Sequence, residues 1–205
     1  MRPGAMPGAR APEKPIRLGP AVGEYLTHIY ILLREGRAVV RSHLARWLGV
    51  SSAAVTQALG RLGRAGLIAI AEGPKRGGDV RLTEVGRAQA EALLRRHYLV
   101  EHLLVSILGL PWAAAHQESG ALEQALSPDL EARLLATLGH PTACPHGNPL
   151  PGAPDERERL SAPALWDREP GETVRVVRVT EEAEEEQDLM EALWAHRVIP
   201  GEVVT

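Results

Sequence analysis

His97 and Glu101 stand four residues apart in RRHYLVEHLL, residues 95–104. Positions i and i+4 share one helix face, so an imidazole and a carboxylate point the same way. The pair is either a core histidine with its partner or half of a metal site. His116 follows within AAAHQESGALEQAL, which reads as the next helix, and that spacing lets two antiparallel helices bring all three side chains together. Nitrogen plus carboxylate oxygen suits Mn, Fe(II), Co or Zn. Taken singly, each histidine is better read as a satisfied core residue. Cys144 and His146 in CPHG look like a thiolate and imidazole pair, but two ligands in a tight turn do not make a four-coordinate site, and both are set aside.

The elements that must position these groups are legible along the chain. Val22, Tyr25, Leu26, Ile29, Leu32 and Leu33 make one apolar helix face that stops near Gly36. Residues 39–68 give two short helical patterns broken at Gly49-Val50-Ser51, with Ser51 or Ser52 as N-cap. LIAIAEGPKRGGDVRLTEVG alternates, turns and alternates again, as a hairpin with a basic tip. Helix, helix-turn-helix and hairpin in this order is a winged helix. Thr83 caps a long helix that bends or gives way to a second near His97. Ser127-Pro128 opens a further helix that Gly139 stops. GETVRVVRVT alternates as a strand, EEAEEEQDLMEALWAHRV is acidic and helical, and IPGEVV starts another strand. Two strands cannot stand alone, so this module is either truncated or leans on something else.

Bulk properties narrow the function classes. The 205 residues, 44% hydrophobic, suffice for one ordinary domain or two small ones. No apolar run is long enough to span a bilayer, and the basic N-terminus lacks a continuous apolar stretch, so neither a membrane span nor a secretory signal is expected. Cytoplasmic residence is the default, and one cysteine excludes a disulfide within the chain. Up to Ala90 there are 14 Lys/Arg against 6 Asp/Glu, and beyond it 9 against 20. A basic front half suggests a polyanionic partner; an acidic rear half suggests solvated faces or a cation site.

EYLTHIY, LARWLGVSSAAVTQALGRLGRAGLI with LTEVG, RRHYLVEHLL, LGHPTACPHGNPLPG and PGETVRVVRVTE resemble, in that order, the diphtheria toxin repressor family of metal-activated bacterial transcription regulators. The likeness runs from about Ala21 to the end. It implies a mainly α fold: a basic disordered tail (1–19), a winged helix-turn-helix DNA-binding domain (20–90), a helical dimerisation and metal-binding domain (91–150), a linker (151–165) and a shortened FeoA-like β-barrel module (166–205).

The resemblance also implies roles. Ser51, Ala53 and Gln57 match base-reading positions, with Gln57 foremost because its amide both donates and accepts at a base edge. Thr56, Arg61 and Arg64 would hold phosphates, as would Lys75 and Arg76 at the wing tip. His97, Glu101 and His116 match one metal site, which Glu181 and Glu184 would complete. A second site corresponds to Glu24, Gly120, Glu123 and Gln124. There glycine replaces a usual cysteine or carboxylate and an amide replaces a histidine, so that site is altered or weak and leans toward manganese over iron. His28 and His102 read as structural. The expected partners are double-stranded operator DNA, a second copy of the chain in a homodimer, and Mn(II) or Fe(II). Two other readings stay open: a winged-helix regulator with a vestigial metal site that binds DNA constitutively, and a metal-dependent hydrolase. The latter lacks HExxH spacing, a nucleophile beside a base, and a phosphate loop.

Overall fold

The computed structural model describes residues 19–71 and 79–205; Lys75, Arg76 and all but the last residue of the N-terminal tail lie outside that range. Helix α1 (Pro20–Arg34) buries Leu26, Ile29 and Leu32 completely and stops where Gly36 takes φ 72°. Arg37 N–H closes back on the Leu32 carbonyl at 2.8 Å, satisfying a carbonyl that the helix end would orphan.

Helices α2 (Arg41–Trp47) and α3 (Ser52–Arg64) follow, with Ser51 Oγ accepting the Ala54 N–H at the start of α3. Val55, Ala58, Leu59 and Leu62 face the core. These contacts hold a helix that Gly60 and Gly63 weaken by about 1 kcal/mol each relative to alanine.

Strands β1 (Ile68–Ala71) and β2 (Asp79–Leu82) pair antiparallel from Ile68↔Leu82 to Ala71↔Asp79. Thr83 then caps α4 (Glu84–His102) by accepting the Gly86 N–H while donating to the Gly66 carbonyl. The hairpin and α4 are so close that a Cβ on Gly86 would lie 1.9 Å from Leu67 O.

Helix α4 is the spine that carries the site. It continues unbroken through His97 instead of giving way there, and the buried residues Ala90, Leu94, Tyr98 and Leu99 keep one continuous face on the core. The register changes only after His102, in a π turn (Leu103–Ile107) that ends at Gly109 in the left-handed region. A 3-10 turn (Trp112–Ala114) leads into α5 (Ala115–Leu122), and a second (Glu123–Ala125) ends it. Ser127 Oγ accepts the Leu130 N–H and opens α6 (Pro128–Thr137). One hydrophobic core joins α1, α3, α4, α5 and α6 without a break at residue 90.

Helix α7 (Glu156–Leu160) precedes β3 (Val174–Arg175), α8 (Glu181–Glu184), α9 (Gln187–Ala195) and β4 (Val203–Val204). Only Val174 and Arg175 form the strand expected over the alternating segment. Val176 still exchanges hydrogen bonds with Gly201 and Glu202, and beyond it the backbone turns to another partner: Val179 N–H donates to the His146 carbonyl, and Asn148 Nδ2 donates to the Val179 carbonyl. Loop 144–148 and segment 176–179 are in tight apposition, since Gly147, at φ 89°, would place a Cβ 2.3 Å from Val177 O. Trp112, Ala113, Val179 and Met190 form a second small core beneath this apposition.

Candidate metal centre

Helix α4 projects His97 and Glu101 from successive turns of one face, and α5 packs across it to bring in His116. His97 Nε2 lies 3.1 Å from Glu101 Oε1, and His116 Nδ1 lies 3.2 Å from the same oxygen. Helix α8 adds Glu184, whose Oε2 is 3.1 Å from His116 Nδ1, and Glu181, which with His116 and Glu184 offers ligand atoms within 4.8 Å of one another. All five residues read from the sequence for this site therefore converge. Glu101 and Glu184 are fully buried and Glu181 nearly so.

Hydrogen-bond bookkeeping shows what the cluster is built to hold. His97 Nδ1 is 2.8 Å from Glu123 Oε2, and His116 Nε2 is 3.4 Å from Glu185 Oε1. A carboxylate only accepts, so each of these nitrogens donates. The remaining nitrogens, His97 Nε2 and His116 Nδ1, face each other at 3.1 Å, and both lie against Glu101 Oε1, at 3.1 and 3.2 Å. Without a metal, protons on these nitrogens bridge to the buried carboxylate; once those protons leave, the two nitrogens and the oxygen converge on one point as ligands for a cation. Glu101 Oε2 and Glu184 Oε2 are also buried with no hydrogen-bond partner among the described residues. Buried charged oxygens left unpaired are costly unless a positive charge joins them.

The electrostatics agree. Burial would lower the His97 pKa, but Glu101 and Glu123 outweigh it and raise it to about 10. Burial likewise opposes a charged His116, yet its bonds to Glu101, Glu184 and Glu185 push it well above the usual imidazole range. Glu101, despite its burial, is held well below the carboxylate range by His146 and His97. Burial and the neighbouring Glu184 raise Glu181 to about 7. Protons on imidazoles thus supply the positive charge that these buried acids demand, and a divalent ion can replace them. Glu181 meanwhile accepts from the Tyr98 hydroxyl, which itself receives Arg34 Nη2 at 2.8 Å.

The second set of residues shares a cavity but not a cluster. Glu24, Gly120, Glu123 and Gln124 all line an opening of about 280 Å³ beside the centre, along with His28 and Glu185. Glu24 and Gln124 are exposed, Glu123 is engaged by His97, and among the described residues no three acid, histidine or cysteine ligand atoms converge there. His28 donates from Nδ1 to the Glu24 carbonyl and packs edge-on against Trp47. His102 is tied to the Ala143 carbonyl at 2.6 Å.

On α3, Ser51, Ala53, Thr56, Gln57, Arg61 and Arg64 are all exposed, opposite the buried Val55, Leu59 and Leu62. Ala53, Gln57, Arg61 and Arg64 fall on one face at helical spacing.

Sequence reasoning set His146 aside. Its Nδ1 lies 3.1 Å from Glu184 Oε2 and 3.4 Å from Glu101 Oε2, inside the fully buried heart of the centre. The CPHG motif offered it, but its partners are Glu101 on α4 and Glu184 on α8, 38 residues downstream, which local spacing does not reveal. Ser119, 3.1 Å from both His97 ring nitrogens, was likewise not singled out.

Two family models match the chain: the N-terminal DNA-binding domain of iron-dependent repressors over residues 17–77, and their metal-binding and dimerisation domain over 83–152. The iron-dependent repressor IdeR of Mycobacterium leprae is 37% identical over 190 residues, covering 88% of this chain and 81% of that protein. The diphtheria toxin repressor of Corynebacterium jeikeium is 32% identical over 200 residues, covering 88% and 82%. Among solved structures, a manganese-dependent transcriptional repressor in complex with manganese superposes with TM-score 0.72 at 30% identity, over 89% of this chain and 81% of that one. The IdeR structure from T. acidophilum gives TM-score 0.66 at 26% identity, over 93% and 85%.

Proposed function

Because the chain belongs to the iron-dependent repressor family, we propose that it is a transcriptional repressor that binds operator DNA as a homodimer when loaded with Fe(II) or Mn(II). It is not an enzyme. The observation that carries the metal dependence is the pair of facing nitrogens of His97 and His116, 3.1 Å apart, beside two buried carboxylates with orphaned oxygens. The residues fit a divalent ion. His97, Glu101, His116, Glu181 and Glu184 would hold it, and bound there it supplies the positive charge that draws α4, α5 and α8 to one point. The cavity at Glu24, Gly120, Glu123 and Gln124 is an altered, weak secondary position without a soft donor, which leans toward manganese over iron there.

The chain's own contacts carry the state of the centre to the DNA-binding elements. Between Glu181 and Glu184 on α8, Glu182 turns the other way and takes Arg37 at 2.9 Å and His43 at 2.9 Å, both from the winged-helix region. Arg178, just before α8, reaches Glu35 at 2.8 Å and Asn148 at 2.9 Å. Arg34, at the end of α1, donates to the Pro149 carbonyl and to Tyr98. Where α8 sits therefore decides where α1 and α2 sit, and α3 packs on both.

The exposed row of Ala53, Gln57, Arg61 and Arg64 supports α3 as the helix that enters the major groove, with Ser51 and Thr56 at its start. In a two-fold dimer the two copies of α3 must lie about 34–36 Å apart to meet successive major grooves. Ile107, Leu108 and Leu130 stay exposed on the helical region and support it as the dimer seam. The antiparallel β3–β4 pair with α8 and α9 supports reading 166–205 as FeoA-like, after a linker over 151–165. A repressor of DNA works in the cytoplasm, and among the described residues no helix is long and apolar enough to cross a membrane.

Isothermal calorimetry on chelator-stripped protein tests the site. Wild type is expected to take up Mn(II), and His97→Ala to bind it about 100-fold more weakly while keeping its far-UV dichroism. Equal affinity in the two proteins would remove the centre from the account.

A further inference from the structure

The centre has an inner side that the five ligands above do not use. His146 is fully buried there, on the loop that Gly147 and Asn148 clamp against segment 176–179. Its Nε2–H donates to the Trp112 carbonyl at 3.0 Å, which fixes the tautomer and leaves Nδ1 facing inward. A second ring nitrogen tied to a backbone carbonyl is the usual support for a metal-binding imidazole. Nδ1 stands 3.1 Å from Glu184 Oε2, 3.4 Å from Glu101 Oε2 and 4.0 Å from Cys144 Sγ. Both of those oxygens are buried with no hydrogen-bond partner among the described residues. Ligands bound to one first-row cation at about 2.0–2.1 Å lie about 3.0 Å apart in an octahedron and about 3.4 Å apart in a tetrahedron. The nitrogen–oxygen separations match that range.

The two carboxylates also divide between two sides. Glu101 turns Oε1 to His97 and His116 and Oε2 to His146. Glu184 Oε2 is 3.1 Å from His116 Nδ1 and 3.1 Å from His146 Nδ1, while its Oε1 is held by Asn148 Nδ2 at 2.5 Å. We propose that Glu101, Glu184, His146 and Cys144 hold a further divalent cation, inward of the one assigned to His97 and His116 and distinct from the cavity at Glu24, with the two carboxylates shared between the ions. The inner position rests on the metal reading of the outer one. On binding, the Cys144 S–H proton and any proton on His146 Nδ1 pass to the buffer. With one sulfur among its donors, the inner position takes Zn(II), Co(II) or Fe(II) in preference to Mn(II), whereas the outer set of nitrogen and oxygen accepts Mn(II).

Cys144 is the chain's one cysteine, so a metal–thiolate signal reports on this position alone. Co(II) added to the chelator-stripped full chain is expected to give a near-ultraviolet sulfur-to-cobalt charge-transfer band. Cys144→Ser and His146→Gln should each abolish that band, and His146→Gln should bind one cobalt fewer per chain, while visible cobalt absorption from the outer position persists in both. Cobalt uptake by wild type without a sulfur band, at the same ratio as in His146→Gln, would overturn the inner site and leave the outer one standing. No cobalt uptake at all would overturn both. If either variant fails to fold by circular dichroism, the presence or absence of the wild-type band decides.

Discussion

At the scale of single residues, each group in the centre is defined by what its neighbours leave it to do. Glu123 illustrates the point, because the sequence placed it among the ligands of a second site, whereas it accepts the His97 Nδ1–H at 2.8 Å and so presents the opposite nitrogen to the cation. Glu123→Gln should therefore weaken Mn(II) binding by about 10–100-fold in calorimetry, although it would remove no ligand of the main centre. On α3 the two kinds of DNA contact separate cleanly. Gln57→Ala should cost about 1–3 kcal/mol against the preferred operator and relax base choice at one position, whereas Arg61→Ala should weaken all duplexes alike and reduce the salt slope by about 1. Fluorescence anisotropy on matched and mismatched duplexes at several salt concentrations distinguishes them. What the sequence made legible at this scale was the i, i+4 pair and its distant partner His116. His146 was not legible, because CPHG offers two donors locally and the other two arrive from α4 and α8.

Whole elements were read best where their signals are local. Ser51, Thr83 and Ser127 each accept the amide three residues on, as their N-cap positions predict, since a cap depends only on its own turn. The path of α4 was read less well. Its helical period is unbroken through His97, and the apparent break belongs to the π turn at Leu103–Ile107, where a shift in hydrogen-bond register leaves little trace in composition. The alternation over 171–180 promised a strand, but only tertiary contacts show that its second half abandons β4 for the loop at His146. Gly86 is the element-scale constraint that matters most. It lets the first turn of α4 lie against Leu67, and adding one methyl group would drive it into a backbone oxygen 1.9 Å away. Gly86→Ala should destabilise the fold by about 1–3 kcal/mol or more, seen as a lower midpoint in urea unfolding followed by circular dichroism.

Over the whole molecule, the contrast between a basic front and an acidic rear is partly resolved inside the chain. Arg37 and His43 from the front meet Glu182 from the rear, while Arg178 from the rear meets Glu35 from the front. These pairs join the winged helix to the helix that carries two of the candidate ligands. Glu182→Ala should leave Mn(II) affinity within about threefold of wild type, since Glu182 is no ligand. It should also shrink the gain in operator affinity that Mn(II) produces, because a coupling on the order of 1–3 kcal/mol needs a physical link between the sites. Parallel metal and DNA titrations would show the two effects apart. The most direct test of the account is the affinity of chelator-stripped wild-type protein for a duplex selected from a random pool on the Mn(II)-loaded dimer, measured with and without Mn(II). The expected result is binding tighter by about 5–150-fold with the ion; the same affinity in both conditions would contradict it.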